Sequence, residues 1–454
     1  MLGIDGGATL PVRRRAAADA APRDPALLLA VAGTFTLGMI EVGVSEFGIS
    51  DVMYLSAGVL VVVHLLTGRH AGLAPAESRR SPQLVLVGST LLLAAGTLSS
   101  FRSWDPGRSL LVVARIGYLT LVWFWILRAV TPTRAALAAL LRAWRWGVAF
   151  VVAAAALDEV GVIHISAENS EGRQTAFTGH PNDLAGYLVV VLPLLLLGVP
   201  ATPGRSRRAE LAWRAGLTGW TLYGVSMSGS LTGLLAAGFS MVATVAVLVL
   251  LPPGQRRRRS PLAVVGFGAL AVVGAVLLFT SDLPVVERIE RYQSGDRYVT
   301  SSVSMRGQLN AQVIGNFDKW LVTGTSLDTR TAYRSGAIEG TVSGGVHNLY
   351  LKVLLEAGLP ALVGLLVVLG ATLRAAIRLV VHTRHGPLYP VAVALTASFG
   401  TACVFANFGP ILYHRFFWLP TALVWCLWAV CRAEARQRAA RPGDAVGISP
   451  AARR

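Results

Sequence analysis

A long polar segment, residues 281–347, ends at a histidine, His347, which together with the next residue, Asn348, begins the apolar stretch HNLYLKVLLEAGLP. An imidazole titrates near neutral pH, so it can accept or release a proton under physiological conditions. Arg306, in the same segment, carries a planar guanidinium that pairs two phosphate oxygens and stays charged. These residue types also have structural uses, since His and Asn often begin helices and arginine forms surface salt bridges.

The elements around this segment are apolar. Hydrophobic residues make up 54% of the chain, charged residues make up 14%, and the mean hydropathy is +0.57. This composition excludes a soluble globular protein of this size and indicates a polytopic membrane protein. Because unpaired backbone cannot face lipid, apolar runs of about 20 residues are expected to be helices. The sequence predicts an all-α fold with about twelve transmembrane helices and one large extracytoplasmic loop.

The predicted spans divide the chain into five parts. These are a cytoplasmic tail at 1–25, transmembrane helices 1–9 at 26–280, the large and partly helical extracytoplasmic loop at 281–358, helices 10–12 at 359–431, and a disordered cytoplasmic tail at 432–454. The spans are 26–44, 52–68, 82–99, 109–128, 138–157, 183–200, 212–227, 231–251, 262–280, 359–381, 388–407 and 412–431. Within the loop, residues 303–317 predict an amphipathic helix on the membrane surface.

The arginines test this map, because basic residues of short loops stay on the cytoplasmic side of a membrane. With the N-terminal tail inside, every dense cluster falls in a predicted cytoplasmic segment. The clusters are Arg13–Arg15; Arg69, Arg79 and Arg80; Arg128 and Arg134; Arg205, Arg207 and Arg208; Arg256–Arg259; Arg374, Arg378 and Arg384; and the tail from Arg432. Both termini are therefore predicted to be cytoplasmic. The net charge of +17 then requires no nucleic acid partner.

Other kinds of site find little support in the sequence. No cluster of outer carboxylates and histidines has the spacing of metal ligands, so neither a metal nor a cofactor is predicted. The three cysteines, Cys403, Cys426 and Cys431, indicate neither a zinc site nor a disulfide framework. Asp158 and Glu159 could imitate the two carboxylates of a glycosidase, but adjacent side chains diverge instead of facing one substrate bond.

Three motifs carry a family resemblance. They are GHPNDLAGYL at 179–188, SMRGQLNAQVIGNFDKWLVTGTS at 304–326 and HNLYLKVLLEAGLP at 347–360. The first is similar to a His-Pro-Asn-x-x-Ala sequence at the start of a span, and the second to a Ser-x-Arg sequence followed by a helix and a turn that contains glycine. The third is similar to a family's most specific signature, which follows its large outer loop. Over about residues 175–365 the chain resembles the bacterial O-antigen ligase and O-antigen polymerase family, which are integral membrane glycosyltransferases.

The resemblance implies an enzyme in the bacterial cytoplasmic membrane. Its donor would be a glycan on a polyprenyl pyrophosphate, and its acceptor another glycan or a lipid. Membrane lipids and other proteins of polysaccharide assembly are the further partners that it implies. Such a transfer needs a base for the acceptor proton and cations for the departing pyrophosphate.

The implied roles fall on seven residues, which are His347 as base, Asn348 to position it or the acceptor, Arg306 on the pyrophosphate, and Arg115, Arg297, His180 and Asn182 for substrate binding. Each has an alternative. The polar residues at loop ends can be helix caps. Arg115, within the fourth span, can extend to the lipid headgroups. Glu356 is interpreted as structural, holding the loop or pairing with an arginine.

Two departures from the family pattern bear on the reaction. The turn SGSLTG at 228–233 has Leu231 where the family has an arginine, so one cation is missing, and Gly324 is followed by Thr-Ser instead of a second glycine. Two observations favour polymerisation over ligation to a lipid core. One is the missing cation, and the other is the preference for arginine over lysine, which suggests a high-GC genome without lipopolysaccharide. The alternative is a transporter or flippase of lipid-linked oligosaccharide, which predicts broken or charged helices at mid-membrane and paired repeats. A third reading is a non-catalytic scaffold.

Overall fold

A computed structural model describes residues 24–39, 43–44, 47–68, 73–74, 82–165, 173–198, 206–251, 284–327 and 346–439. The helices are α1 (Pro25–Phe35), α2 (Ile49–Leu66), α3 (Gln83–Ser100), α4 (Pro106–Ala129, with a π-helical turn at Tyr118–Trp123), α5 (Arg134–Glu159), α6 (Pro181–Leu197), α7 (Arg207–Met227), α8 (Leu231–Leu250), α9 (Pro284–Gln293), α10 (Arg297–Gly315), α11 (Leu349–Thr383), α12 (Tyr389–Phe405) and α13 (Arg415–Ala439). Short 3-10 turns lie at Thr36–Gly38, Ala176–Thr178, Phe317–Lys319 and Ile411–Tyr413. The one sheet in the described part pairs two strands of two residues, β1 (Gly43–Val44) and β2 (Phe47–Gly48). The all-α prediction is confirmed.

Most of the predicted spans coincide with described helices, and the ninth, 262–280, lies outside the described residues. By length and composition, seven of the described helices can cross a membrane, namely α2, α3, α4, α5, α8, α11 and α13. Three others, α1, α6 and α12, are apolar but shorter. The polar composition of α7 sets it apart from both groups. The number twelve and the extracytoplasmic position of the large loop stay predictions.

Helix α6 lies at the centre of the described bundle. All of its residues from Leu184 to Leu195 are buried. It packs against α5, α7, α8, α12 and α13. Its composition follows from this position, because a helix surrounded by other helices can be apolar on every side.

Helices α3 and α11 approach each other closely where two glycines meet. A Cβ atom added to Gly88 would lie 2.6 Å from the carbonyl oxygen of Gly364, and one added to Gly364 would lie 2.6 Å from that of Gly88. Small residues allow membrane helices to bring their backbones together in this way. The contact fixes α11, the helix that His347 and Asn348 precede, against α3.

The loops lie at the two ends of the helical bundle. We call the end with the starts of α6, α11 and α13 the His347 end. There, Asp51 at the start of α2 pairs with Arg415 of α13, and Ser109 lies 3.1 Å from Ser326 between their hydroxyl oxygens. At the opposite end, Arg134 pairs with Glu434. Segments predicted to share a side of the membrane therefore contact each other, and which end is cytoplasmic stays a prediction.

Helix α11 is broken at Gly358, which has φ 80° and ψ 178°. Residues 349–357 form a short helix before the break, and the predicted span begins directly after it. The turn at 320–327 packs into the break, where the N–H of Leu359 donates to the carbonyl of Leu321 at 2.6 Å. The N–H groups of Thr325 and Ser326 donate to the carbonyls of Leu355 and Glu356. The break lies at the His347 end, whereas a transporter would be expected to have breaks at mid-membrane.

Candidate functional site

Asn348 is the N-cap of α11. Its side-chain oxygen accepts hydrogen bonds from the N–H groups of Tyr350 at 3.0 Å and Leu351 at 3.1 Å. Its amide nitrogen donates to the side chain of Asn407 at 3.4 Å, which connects α11 to the end of α12. This is the capping use that the sequence also allowed. The cap fixes the backbone of His347, the preceding residue.

Helix α10 brings Arg306 towards this segment. The helix is the one predicted over 303–317, although it begins earlier, at Arg297. Arg306 shares a helix face with Leu309 and Val313, since they follow it by three and seven residues. Val313 is buried in a small cluster with Trp320, Val346 and Leu355. The face that carries Arg306 therefore points towards the segment that ends at His347.

His347 is half-buried among positive charges. Burial and the nearby charges of Arg306, His180 and Lys352 together lower the pKa of its imidazole to about 4, and burial is the largest cause. The imidazole is therefore neutral at physiological pH. Because electrostatic effects of this kind require proximity, the structure brings together three predicted site residues from separate segments, namely His347, Arg306 and His180.

His180 is the N-cap of α6, and its Nδ1 atom accepts a hydrogen bond from the N–H of Asn182 at 3.1 Å. The residue keeps an exposed edge, while the surrounding protein lowers the pKa of the ring. Burial is the main cause, Asp183 opposes the shift, and Arg173, Arg306 and His414 add to it. His414 precedes α13, and its Nε2 atom lies 3.6 Å from Oδ1 of Asp183. His414 is a neighbour of the site that the sequence did not indicate.

Arg173 is a second residue that the sequence analysis missed. Its Nε atom donates to the carbonyl of Ser228 at 3.0 Å, and its Nη2 atom lies 3.4 Å from the side-chain oxygen of Asn182. That oxygen also accepts from the hydroxyl of Ser230 at 2.7 Å. Arg173 thus lies on the turn SGSLTG, where Leu231 replaces the family's arginine. The expectation that this turn lacks a cation is wrong, because a cation reaches it from another loop.

Two further residues, Arg115 and Arg297, were predicted to bind substrate. Arg115 lies in α4, with its guanidinium carbon 6.0 Å from the centre of the Tyr413 ring. The hydroxyl of Tyr413 lies 3.5 Å from Glu356. Arg297 is the first residue of α10, and the placement of its side chain lies outside the described part. Their roles in substrate binding stay predictions.

Glu356 has a structural role, as predicted. Its carboxylate lies 2.8 Å from Nζ of Lys352, one helical turn earlier. Its main-chain carbonyl accepts hydrogen bonds from the N–H of Ser326, at 2.9 Å, and from the hydroxyl of Ser99. Glu356 therefore holds the large loop to α11.

The carboxylates of Asp158 and Glu159 diverge, as expected for adjacent residues. Asp158 accepts a hydrogen bond from the N–H of Ile165 at 2.9 Å, and Glu159 accepts one from the side chain of Gln174. Within the described ranges, no group of three His, Cys, Asp or Glu side chains is arranged to hold a metal ion. The independence from metals stays a prediction.

Residues 216–366 match the family model described as O-antigen ligase. This third of the chain is similar to the O-antigen ligase family, and we refer to it as the O-antigen ligase domain. No curated protein matches the chain. The resemblance predicted from the sequence is confirmed, and two of its three motifs, at 304–326 and 347–360, lie within the O-antigen ligase domain. The domain and the apolar helices together indicate a glycan-transferring membrane enzyme.

The O-antigen ligase domain covers only part of the site. It includes Arg306, His347, Asn348 and the turn at 228–233. The side chains that complete the site come from segments outside the domain, and they are Arg173, His180, Asn182 and His414. The site therefore forms only when the domain packs against the preceding loop and the start of α13.

Proposed function

We propose that this protein transfers or polymerises a glycan carried on a polyprenyl pyrophosphate, at the outer face of the bacterial cytoplasmic membrane, for cell-surface polysaccharide synthesis. The observation that carries the proposal is the convergence of His347, Arg306 and His180 at one end of an apolar helical bundle. Two of these residues lie in the O-antigen ligase domain. An amphipathic donor fits this setting, because its lipid can lie among the helices while its sugar reaches the His347 end.

The reaction needs one proton acceptor and a binding site for a leaving anion. The hydroxyl of the acceptor glycan or lipid gives its proton to the imidazole of His347, and its oxygen bonds to the anomeric carbon of the donor. The bond from that carbon to the pyrophosphate oxygen breaks, and the oxygen keeps the electron pair. Arg306 balances the charge that develops there, with Arg173 as a second cation.

The charge of the donor has a consequence for the base. Before the donor binds, Arg306 helps to lower the pKa of His347 to about 4. A pyrophosphate that pairs with Arg306 offsets that positive charge, so the pKa of His347 rises towards neutrality when the donor is bound. A base with a pKa near the working pH is the more effective catalyst. Donor binding would thus activate His347.

The position of Arg173 bears on the choice between polymerisation and ligation. Polymerisation was preferred partly because the turn at 228–233 lacks an arginine of its own. Since Arg173 lies on this turn, the absence no longer separates the two reactions. We therefore propose the reaction class, with either a growing glycan or a lipid core as acceptor.

The test is the loss of glycan transfer on substitution of the proposed base and cation. His347→Ala and Arg306→Ala should each lower transfer at least about 100-fold, the usual scale for a lost general base or charge-stabilising group. Long-chain glycan should disappear from cells that carry only the variant. The measurement is gel analysis of surface glycan, with membrane insertion checked by fractionation.

Matched controls are available at the opposite end of the bundle. His385→Ala and Arg384→Ala change the same residue types at exposed positions and should leave chain lengths normal. Normal chain lengths in His347→Ala would refute the role of that residue. A leaflet-specific label separates the transporter or flippase alternative, because short lipid-linked units should reach the outer leaflet in the two site variants if the protein is a transferase. Their retention in the cytoplasmic leaflet would overturn the proposal.

A further inference from the structure

A groove lies at the end of the bundle opposite His347. It has a volume of about 360 Å³ and lies between the start of α3, residues 371–378 of α11 and residues 425–432 of α13. Three arginines and two tryptophans dominate its lining, namely Arg374, Arg378, Arg432, Trp425 and Trp428. Arg374 follows the break at Gly358 by sixteen residues, or about 24 Å of helix, so the groove lies near the other edge of a hydrocarbon core of about 30 Å.

The arginines of the groove form a concentrated positive charge. All three are exposed, and none makes an ion pair or side-chain hydrogen bond with the residues that the structure describes. Arg374 and Arg378 are one helical turn apart, a spacing at which like charges repel. No acidic side chain is among the lining residues of the groove that the structure describes. An anion bound here would relieve this repulsion.

The walls of the groove are apolar and aromatic. Trp425 is held in place, since its Nε1 atom donates to the hydroxyl of Thr372 at 3.1 Å. Leu84, Ala371 and Ala375 supply the aliphatic lining. Tryptophans at this depth of a membrane protein lie at the level of the lipid headgroups. The groove thus offers cations to a headgroup and an apolar wall to the chains attached to it.

We propose that this groove binds an anionic phospholipid, with the phosphate of its headgroup between Arg374, Arg378 and Arg432 and its acyl chains along Leu84 and the alanines of α11. Basic clusters at this end are expected from membrane topology alone. The apolar wall, the anchored indole and the exposed guanidiniums in one groove are what indicate a site for lipid. The proposal is independent of the reaction at the His347 end.

The test uses the full chain purified in a neutral detergent. Dioleoyl phosphatidylglycerol should raise the Tm with increasing concentration, whereas dioleoyl phosphatidylcholine, with the same acyl chains, should have little effect. Arg374→Gln with Arg378→Gln should weaken the apparent affinity for phosphatidylglycerol about 25-fold, roughly fivefold for each arginine removed near the headgroup. The Tm without added lipid should stay near that of the parent, because both side chains are exposed.

The matched control is Arg208→Gln with Arg384→Gln, which removes two exposed arginines outside the groove and should keep the parental response. Equal Tm rises with both lipids would show that only acyl chains bind, and would overturn the proposal. The proposal also fails if inorganic pyrophosphate alone raises the Tm as much as phosphatidylglycerol, since the site would then take a soluble anion. An unchanged affinity in the groove variant would likewise refute it.

Discussion

The imidazole of His347 is neutral at physiological pH, because burial and nearby positive charges lower its pKa to about 4. A free histidine has a pKa of about 6.5. The unfolded chain therefore binds more protons than the folded protein between these two values. The contribution of His347 to stability is present above about pH 6.5 and is lost as the pH falls towards 4.

The protonation of His347 can be measured by chemical modification. Diethyl pyrocarbonate reacts with the neutral imidazole, so the pH dependence of its reaction at His347, followed by peptide mass spectrometry, should give an apparent pKa of about 4 when no donor is added. Arg306→Gln should raise this pKa, and Arg306→Lys should leave it nearly unchanged. The rise should be partial, since burial is the larger cause of the shift. An unchanged pKa in Arg306→Gln would contradict the proximity of the two groups.

At the scale of residues, the sequence predicted part of the candidate site. His347, Arg306 and His180 belong to recognisable motifs, and the structure brings them together. Arg173 and His414 were missed because their contacts join distant parts of the chain. Arg173 donates to the main-chain carbonyl of Ser228. Every residue has such a carbonyl, so the type of the residue does not predict this contact.

At the scale of elements, the break in α11 connects the large loop to the membrane helices. Gly358 has a φ of 80°, a region that side chains with a Cβ atom rarely adopt. A Cβ atom at this position would lie 2.5 Å from the carbonyl oxygen of Val322. Gly324 faces the same junction, where a Cβ atom would lie 2.4 Å from the carbonyl oxygen of Glu356. The backbone of α11 and that of the turn at 320–327 therefore meet without room for a side chain between them.

Replacement of Gly358 by alanine should therefore destabilise the protein. We expect a loss of about 1–3 kcal/mol from the backbone conformation, with the clash at Val322 in addition. The measurement is thermal unfolding of the purified protein in detergent, combined with glycan transfer in cells. Gly370→Ala is the matched control, since this glycine of the same helix has open space around it and should tolerate alanine. Equal Tm values for the two variants would contradict the prediction.

Hydrophobic patterns located most of the helices, because burial in lipid or protein requires long apolar runs. The predicted span from 359 begins directly after the break. The break itself was not predicted, since the apolar pattern continues through it. Its geometry depends on hydrogen bonds between Leu359 and Leu321 and between Thr325 and Leu355, which only the folded chain brings together.

At the scale of the molecule, the arginine map and the contacts agree on which loops share an end. The basic clusters near Arg374 and Arg432 predict that the end opposite His347 is cytoplasmic. The candidate site would then face the extracytoplasmic side.

Cysteine labelling tests this orientation. Val322 is 69% exposed at the His347 end, and His385 is exposed at the opposite end. In intact spheroplasts, a membrane-impermeant maleimide should label Val322→Cys above the parent chain and should label His385→Cys only after permeabilisation. The native cysteines give little background, since Cys426 and Cys431 are buried and Cys403 is half-buried. The reverse pattern of labelling would refute the predicted topology.

The ion pair between Asp51 and Arg415 has a consequence for biogenesis. Both side chains are almost fully buried, and 364 residues separate them. Because the ribosome synthesises the helices in order, the carboxylate of Asp51 lacks its partner Arg415 until α13 has been made. A buried charge without its counterion costs about 3–5 kcal/mol. The nascent bundle therefore completes its assembly only when α13 is inserted, and a chain stopped before Arg415 should be a substrate for membrane proteases.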